Sequence, residues 1–284
     1  MKLSIGTAQF GFKYGICNKE GIVSHQQVGK IIKFCKSKKI YSIDTAQGYG
    51  KSHKILGLLN ITNFKITTKI SNIKKNNIKD LDNYVNLEID KILNELNLKK
   101  IYAILIHDTS QLNGKFGKIF YKILENIKKK KKFIKLGVSV YSKKELEFIL
   151  KHYDIDIVNL PISVANLEFY EKNYLLKLKK KKIEIHARSI FLQGLLLSRY
   201  DQLPKKFKYN KFFLEWFNWL KTNNYKSLDA SLGFIKDIKY IDKIIVGVDN
   251  FDQLKMIVKT YMKKRNIKYK KFKQSLILRR PSKW

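Results

Sequence analysis

Eight short apolar runs, at residues 3–8, 40–43, 64–68, 101–106, 133–138, 155–160, 183–187 and 243–248, recur along the 284 residues, and most lead directly into a segment of helical periodicity. Alternation of a fully apolar strand with a helix implies parallel pairing, because each helix must return the chain to the same edge of the sheet. Eight such units in a chain somewhat longer than about 250 residues match a closed parallel β/α barrel. The length calls for no second domain, so residues 1–284 read as one barrel whose last segment, 264–284, is a basic tail.

The helical segments carry their own signals. Ser24 is placed to cap the helix that holds Val28, Ile31, Ile32 and Cys35, with Gln27 as the returning partner of a capping box. Helices follow over 52–59, 78–96, 117–130, 143–151, 168–180, 228–236 and 251–263, the last capped by Asp249 or Asn250. Pro161 falls just past the sixth strand, where no ladder bond is asked of it. Phe212, Phe213, Trp216, Phe217 and Trp219 stand at helical spacing and read as core packing.

In a parallel barrel all strand C-termini lie on one side, and side chains there converge however far apart they are in sequence. The second, third and fourth strands end on Asp44, Lys69 and His107, and Tyr49 lies in the loop just after Asp44. A phenol beside an ammonium is a proton donor in waiting: the cation favours the phenolate and draws the pKa down from about 10. A carboxylate would fix the lysine, and an imidazole would orient a polar substrate oxygen.

The segments IDTAQGYGKSHKILG (43–57), TTK (67–69) and LIHD (105–108) resemble the aldo-keto reductase superfamily, whose Asp, Tyr, Lys and His tetrad falls on Asp44, Tyr49, Lys69 and His107. The likeness runs over nearly the whole chain. It implies reduction of an aldehyde or ketone by NADPH or NADH without a metal, with Tyr49 as proton donor. The opening GTAQFGFKYGI is similar to members associated with sugar metabolism, and its Gly11, Tyr14 and Gly15 are expected over the barrel mouth. The same resemblance implies nicotinamide contacts from Ser139, Asn159 and Arg188, although Arg188 stands where relatives carry an aromatic ring. It also implies pyrophosphate contacts from Phe191, Gln193 and Gly194, and contacts to the adenosine end from Gly247, Asp249 and Gln253. Where NADPH-specific relatives have a basic residue after this glycine, Asp249 stands here, which tilts the expectation toward NADH. Some relatives only retain a cofactor as non-catalytic subunits, and an intact tetrad argues for an enzyme.

Other nucleotide motifs fail on spacing. Gly50-Lys51-Ser52 lacks the P-loop glycine five positions earlier, where Thr45 stands, and no G-x-G-x-x-G follows the first strand.

The formal net charge of +36 invites a nucleic-acid reading. Only Arg188, Arg199, Arg265, Arg279 and Arg280 are arginines among the 59 basic residues, whereas bidentate phosphate or base recognition favours arginine. Abundant Lys, Ile, Asn, Tyr and Phe match what A/T-rich codons favour, so no specific nucleic-acid partner is expected. Cys17 and Cys35 have no metal-ligand spacing and read as free thiols, the N-terminus has no signal-peptide core, and no run approaches about 18 apolar residues. A cytoplasmic protein acting on a small carbonyl substrate, with no membrane partner, is the expectation.

Overall fold

The computed structural model describes residues 1–73, 80–264, 266–280 and 284. Eight parallel strands close into a barrel in the order β1 (Leu3–Gly6), β2 (Ser42–Asp44), β3 (Lys65–Ile70), β4 (Ile101–Ile106), β5 (Phe133–Ser139), β6 (Ile157–Pro161), β7 (Glu184–Arg188) and β8 (Lys243–Gly247). β8 returns to β1 through Leu3↔Ile244 to Gly6↔Gly247, which leaves no free edge. This is the eightfold β/α barrel that the alternating pattern implies.

Strand register decides which side chains face inward. Lys69 lies beside Leu105, Leu105 beside Gly137 and Gly137 beside Ile157, so these four share the inner face. Their neighbours Ile70, Ile104, Ile106 and Val138 point outward into the main core beneath the helices. The inner face is thin in apolar groups: Ala103, Leu105 and Ile157 form a small cluster of their own. Gly137 is required there, since a Cβ would meet the Ile157 carbonyl oxygen at 1.9 Å.

Around this layer the barrel interior is polar. Ser42 donates to Ser4 at 2.9 Å, and Glu184 gathers Tyr102 (2.5 Å), His186 (2.7 Å) and Lys135. Burial pushes the Glu184 carboxyl up, but bonds from His186, Lys135 and Tyr102 outweigh it and hold it well below the usual carboxylate range. Replacing the carboxylate by an amide leaves one neutral carbonyl oxygen to serve Lys135, His186 and Tyr102, and an NH₂ in place of the other acceptor. Glu184→Gln should therefore cost about 2–4 kcal/mol, less than the loss for a fully buried pair because Lys135 keeps some solvent contact. A urea midpoint equal to wild type would show that the network contributes nothing.

The helices are α1 (Ala8–Gly11), α2 (His25–Ser37), α3 (Ser52–Gly57), α4 (Leu81–Leu96), α5 (Gly114–Lys129), α6 (Lys143–His152), α7 (Lys172–Lys180), α8 (Lys205–Lys208), α9 (Lys211–Thr222), α10 (Ser227–Lys236) and α11 (Phe251–Met262). Of the helix expected over 78–96, positions 78 and 79 lie outside the described residues. Ser24 caps α2 by accepting from the Gln27 N–H at 3.3 Å, but the Gln27 side chain does not return the bond. It accepts instead from the Phe251 N–H at 3.1 Å and ties α2 to α11. Asn250, not Asp249, caps α11. The first strand is shorter than its apolar run: Thr7 donates to the Asp44 carbonyl at 3.0 Å, and the chain turns into α1 across the top of the barrel. Pro161 is the last residue of β6, paired with Arg188, rather than the residue beyond it.

The aromatic stripe is core, as its spacing implies. Phe212, Phe213 and Trp216 of α9 are fully buried, and Phe272 from the tail packs on Phe212, Trp216 and Trp219 at centroid distances of 5.7, 5.5 and 5.3 Å. The tail thus folds back over the barrel, with Phe272 and Leu278 buried and Tyr269 donating to the Ala230 carbonyl at 2.8 Å. Among the described residues, no helix is long and apolar enough to cross a membrane.

Candidate active site

The C-terminal ends of the strands open into a cavity of about 970 Å³, lined among others by Asp44, Tyr49, Lys69, His107, Ser139 and Arg188. The four residues expected to act together are brought together. Lys69 is 1% exposed and its ammonium donates to Asp44 Oδ1 at 2.5 Å and to the Thr45 carbonyl at 2.9 Å. The second Asp44 oxygen, Oδ2, accepts from Asn159 Nδ2 at 2.7 Å. Tyr49 lies half-buried with its ring centroid 5.0 Å from the Lys69 ammonium. His107 stands edge-on to Tyr49 at 6.2 Å, and Phe12 flanks the ring at 6.2 Å.

Electrostatics set the proton states. Burial pushes the Tyr49 phenol up, Asp44 pushes it further in the same direction, and Arg188 draws it down. The net direction is upward, so burial and Asp44 together outweigh Arg188, and the fall toward neutrality expected of a phenol beside Lys69 is corrected. Burial lowers His107 to about 4, with Lys69 and Arg188 acting in the same direction. Its imidazole is neutral near pH 7 and offers one N–H.

The positions expected to hold a cofactor divide into two groups. Ser139, Arg188, Phe191, Gln193, Gly194, Gly247, Asp249 and Gln253 all line the cavity. Asn159 does not: it is fully buried in β6, with its amide spent on Asp44. Arg188 lies over the Tyr141 ring, with Cζ 4.2 Å from the ring centroid, and donates to the Val140 carbonyl at 2.9 Å.

The loop after β7 is drawn tightly over the cavity. Gln193 adopts φ +53°, its Oε1 accepts from the Ile16 N–H at 3.1 Å and its carbonyl from the Cys17 N–H at 3.3 Å. Gly194 has φ +92°, and a Cβ there would approach Cys17 Cβ at 2.8 Å, so only glycine lets the two loops meet. Tyr14 and Gly15 line the cavity beside them, the place expected for the opening segment.

Asp249 is half-buried. Its carboxylate accepts from Gln253 Nε2 at 3.3 Å, and burial raises its pKa against the bonds from Gln253 and Gln9. Gln9 and Tyr141 are cavity residues that sequence reasoning missed. Gln9 stands just past the first apolar run, 3–8, with nothing local to mark it, and Tyr141 carried no motif.

The arrangement and the sequence agree on a class. The chain belongs to the aldo/keto reductase family, whose sequence model matches residues 2–274. No protein with a curated description matches it. Its fold is similar to that of an aldo-keto reductase from Bacillus halodurans in its holo form, with TM-score 0.73, 16% identity, and 94% of this chain and 88% of that one covered. A glycerol dehydrogenase from Gluconobacter oxydans is similar at TM-score 0.69 and 18% identity, with 94% and 88% covered. The family implies carbonyl reduction with NAD(P)H.

The cavity fits that cofactor. Its volume of about 970 Å³ lies at the upper end of the ~300–1,000 Å³ typical of ligand pockets, and it extends from Tyr49 past Gly194 to Gly247. That leaves room for a dinucleotide together with a small carbonyl compound.

Proposed function

We propose that this protein reduces an aldehyde or ketone to an alcohol, using NADH or NADPH, with Tyr49 as the proton donor. The observation that carries the proposal is the meeting of a buried Lys69–Asp44 pair with Tyr49 and a neutral His107 at one end of a large cavity. The carbonyl oxygen sits within reach of both the Tyr49 hydroxyl and the His107 N–H, and the imidazole orients it. As negative charge grows on that oxygen, Tyr49 gives up its proton, and the phenolate left behind is stabilised by the Lys69 ammonium. Asp44 holds that ammonium in place. The reduced nicotinamide supplies the hydride when bound. Ser139 and Arg188 would hold its ring end, Phe191, Gln193 and Gly194 its pyrophosphate, and Gly247, Asp249 and Gln253 its adenosine end, all of them residues that line the cavity.

A subunit that only retains a cofactor has no use for a buried ammonium fixed beside a phenol, so we favour the enzyme. The free thiols Cys17 and Cys35 suit a reducing, cytoplasmic setting. The test is a screen of aldehydes, ketones and keto-sugars with both reduced nucleotides.

Asp249 bears on which nucleotide is used. A carboxylate that lines the adenosine end repels a 2′-phosphate of charge near −2 by an amount on the order of 1 kcal/mol and can accept from free ribose hydroxyls. NADH should serve at least as well as NADPH, and Asp249→Arg should move the preference toward NADPH. Steady-state kinetics with each nucleotide decide it. A strong wild-type preference for NADPH, unchanged by the substitution, would show that Asp249 does not face the phosphate.

A further inference from the structure

The Asp44 carboxylate is held from two sides of the barrel. Lys69, on the neighbouring strand β3, takes Oδ1 at 2.5 Å, and Asn159 takes Oδ2 at 2.7 Å. Asn159 is not a neighbour: in the closed order β2 and β6 are separated by three strands in either direction, so the bond spans the interior from wall to opposite wall. All three side chains are almost wholly buried, Asp44 at 4%, Lys69 at 1% and Asn159 at 0% exposure.

Chemistry fixes the direction of this bond. An ionised carboxylate only accepts, so the amide must present its NH₂, and Oδ1 is turned away. That Oδ1 is buried and has no hydrogen-bond partner among the described residues. Ser139, the register partner of Asn159 on β5, lines the cavity, but Asn159 itself does not. The orientation of the amide therefore serves Asp44 at the expense of its own carbonyl.

We infer that Asn159 is a positioning residue for the Asp44–Lys69 pair and not a ligand of the cofactor. This rests on the reading of Lys69 and Tyr49 given above. With both oxygens occupied, the carboxylate cannot rotate, and the ammonium that leans on it stays 5.0 Å from the Tyr49 ring centroid. Without Asn159, one Asp44 oxygen is left bare in a buried site, and the carboxylate turns to share both oxygens with Lys69 or to admit water. Either response moves the ammonium away from the phenol.

Several charged and titratable groups face the triad: Tyr14 after α1 and His53 of α3 both lie in the field of Lys69, Tyr141 after β5 in that of Tyr49, and Asp108 in that of His107. Tyr49 stands in the loop after β2 and Arg188 at the end of β7, both in the field of the site, with His107 just past β4. His186 on β7 is the register partner of Asn159, and its Nε2 is engaged by Glu184.

Two variants test the inference, Asn159→Leu and Asn159→Asp, each read by turnover, by the dissociation constant of NADH from quenching of tryptophan fluorescence, and by thermal unfolding. Loss of one charge-assisted bond predicts kcat lower by about 10–100-fold in N159L, with the NADH constant within about twofold of wild type. In N159D two carboxyls face each other and hold one proton between them as pH falls, which restores a donor toward Asp44. The N159D to N159L activity ratio should then rise toward acid pH, an effect that loss of packing alone would not produce. If N159L fails to fold, the pH dependence of N159D relative to wild type carries the test. An NADH constant raised tenfold or more with kcat preserved would overturn the inference and assign Asn159 to the cofactor. Wild-type rates in both variants would overturn it too. A wild-type protein inactive on every carbonyl tested would instead remove the enzymatic reading on which it rests.

Discussion

Replacing Tyr49 with phenylalanine should lower turnover by about two to four orders of magnitude, the range expected when an acid–base group is removed. Fold and nucleotide binding should survive. The ring keeps its edge-on contact with His107 and its tilted contact with Phe12, and the hydroxyl has no hydrogen-bond partner within the protein among the described residues, so only a group aimed at the cavity is lost. The thermal midpoint of Tyr49→Phe should match wild type, and NADH should quench its tryptophan fluorescence at the same concentration. If the variant keeps more than about a tenth of the wild-type rate, the proton comes from elsewhere.

Lys69→Met should be as damaging to turnover and should also cost stability. The ammonium is the ion-pair partner of an Asp44 carboxylate whose side chain is 5% exposed. Breaking a pair buried to this degree leaves an uncompensated charge at a cost of about 3–5 kcal/mol. The double variant D44N/K69M separates the two effects. With both charges gone, the stability should largely return, because a neutral amide in that place has far less solvation to lose. Turnover should not return, because nothing then stabilises the Tyr49 phenolate. Urea unfolding and steady-state rates on the two single variants and the double give the cycle. Equal stability in all four proteins would show that the pair is not buried as described, and recovery of turnover in D44N/K69M would remove Lys69 from the mechanism.

Much of this was legible in the sequence because it depends on strand ends. A parallel barrel turns every strand C-terminus toward one mouth, so Asp44, Lys69 and His107 could be placed together from three apolar runs without any contact being known. The aromatic stripe on α9 followed from helical spacing alone. What escaped notice depends on packing between distant segments. Gln9 lies just past a run, 3–8, that passes for strand, yet the chain leaves the sheet at Thr7 and carries Gln9 over Gly247. Gln27 satisfies a local capping pattern, but the Phe251 N–H competes for its side chain and wins. The bond from Asn159 to Asp44 crosses the barrel between residues 115 apart, and nothing local in IVNLP announces it. The Tyr49 phenol went the other way from expectation because a sequence shows the charges near a group but not its burial.

The central claim is that the Asp44, Tyr49, Lys69 and His107 constellation reduces carbonyl compounds. It is tested most directly by following consumption of NADH and NADPH by the wild-type protein and Tyr49→Phe side by side, across aldehydes, ketones and keto-sugars. The account predicts that wild type consumes reduced nucleotide with at least one of these compounds and forms the matching alcohol, and that Tyr49→Phe, while still binding the nucleotide, loses nearly all of that rate. A folded wild-type protein that binds nucleotide but reduces none of them, or a Tyr49→Phe variant that reduces them equally well, would contradict it.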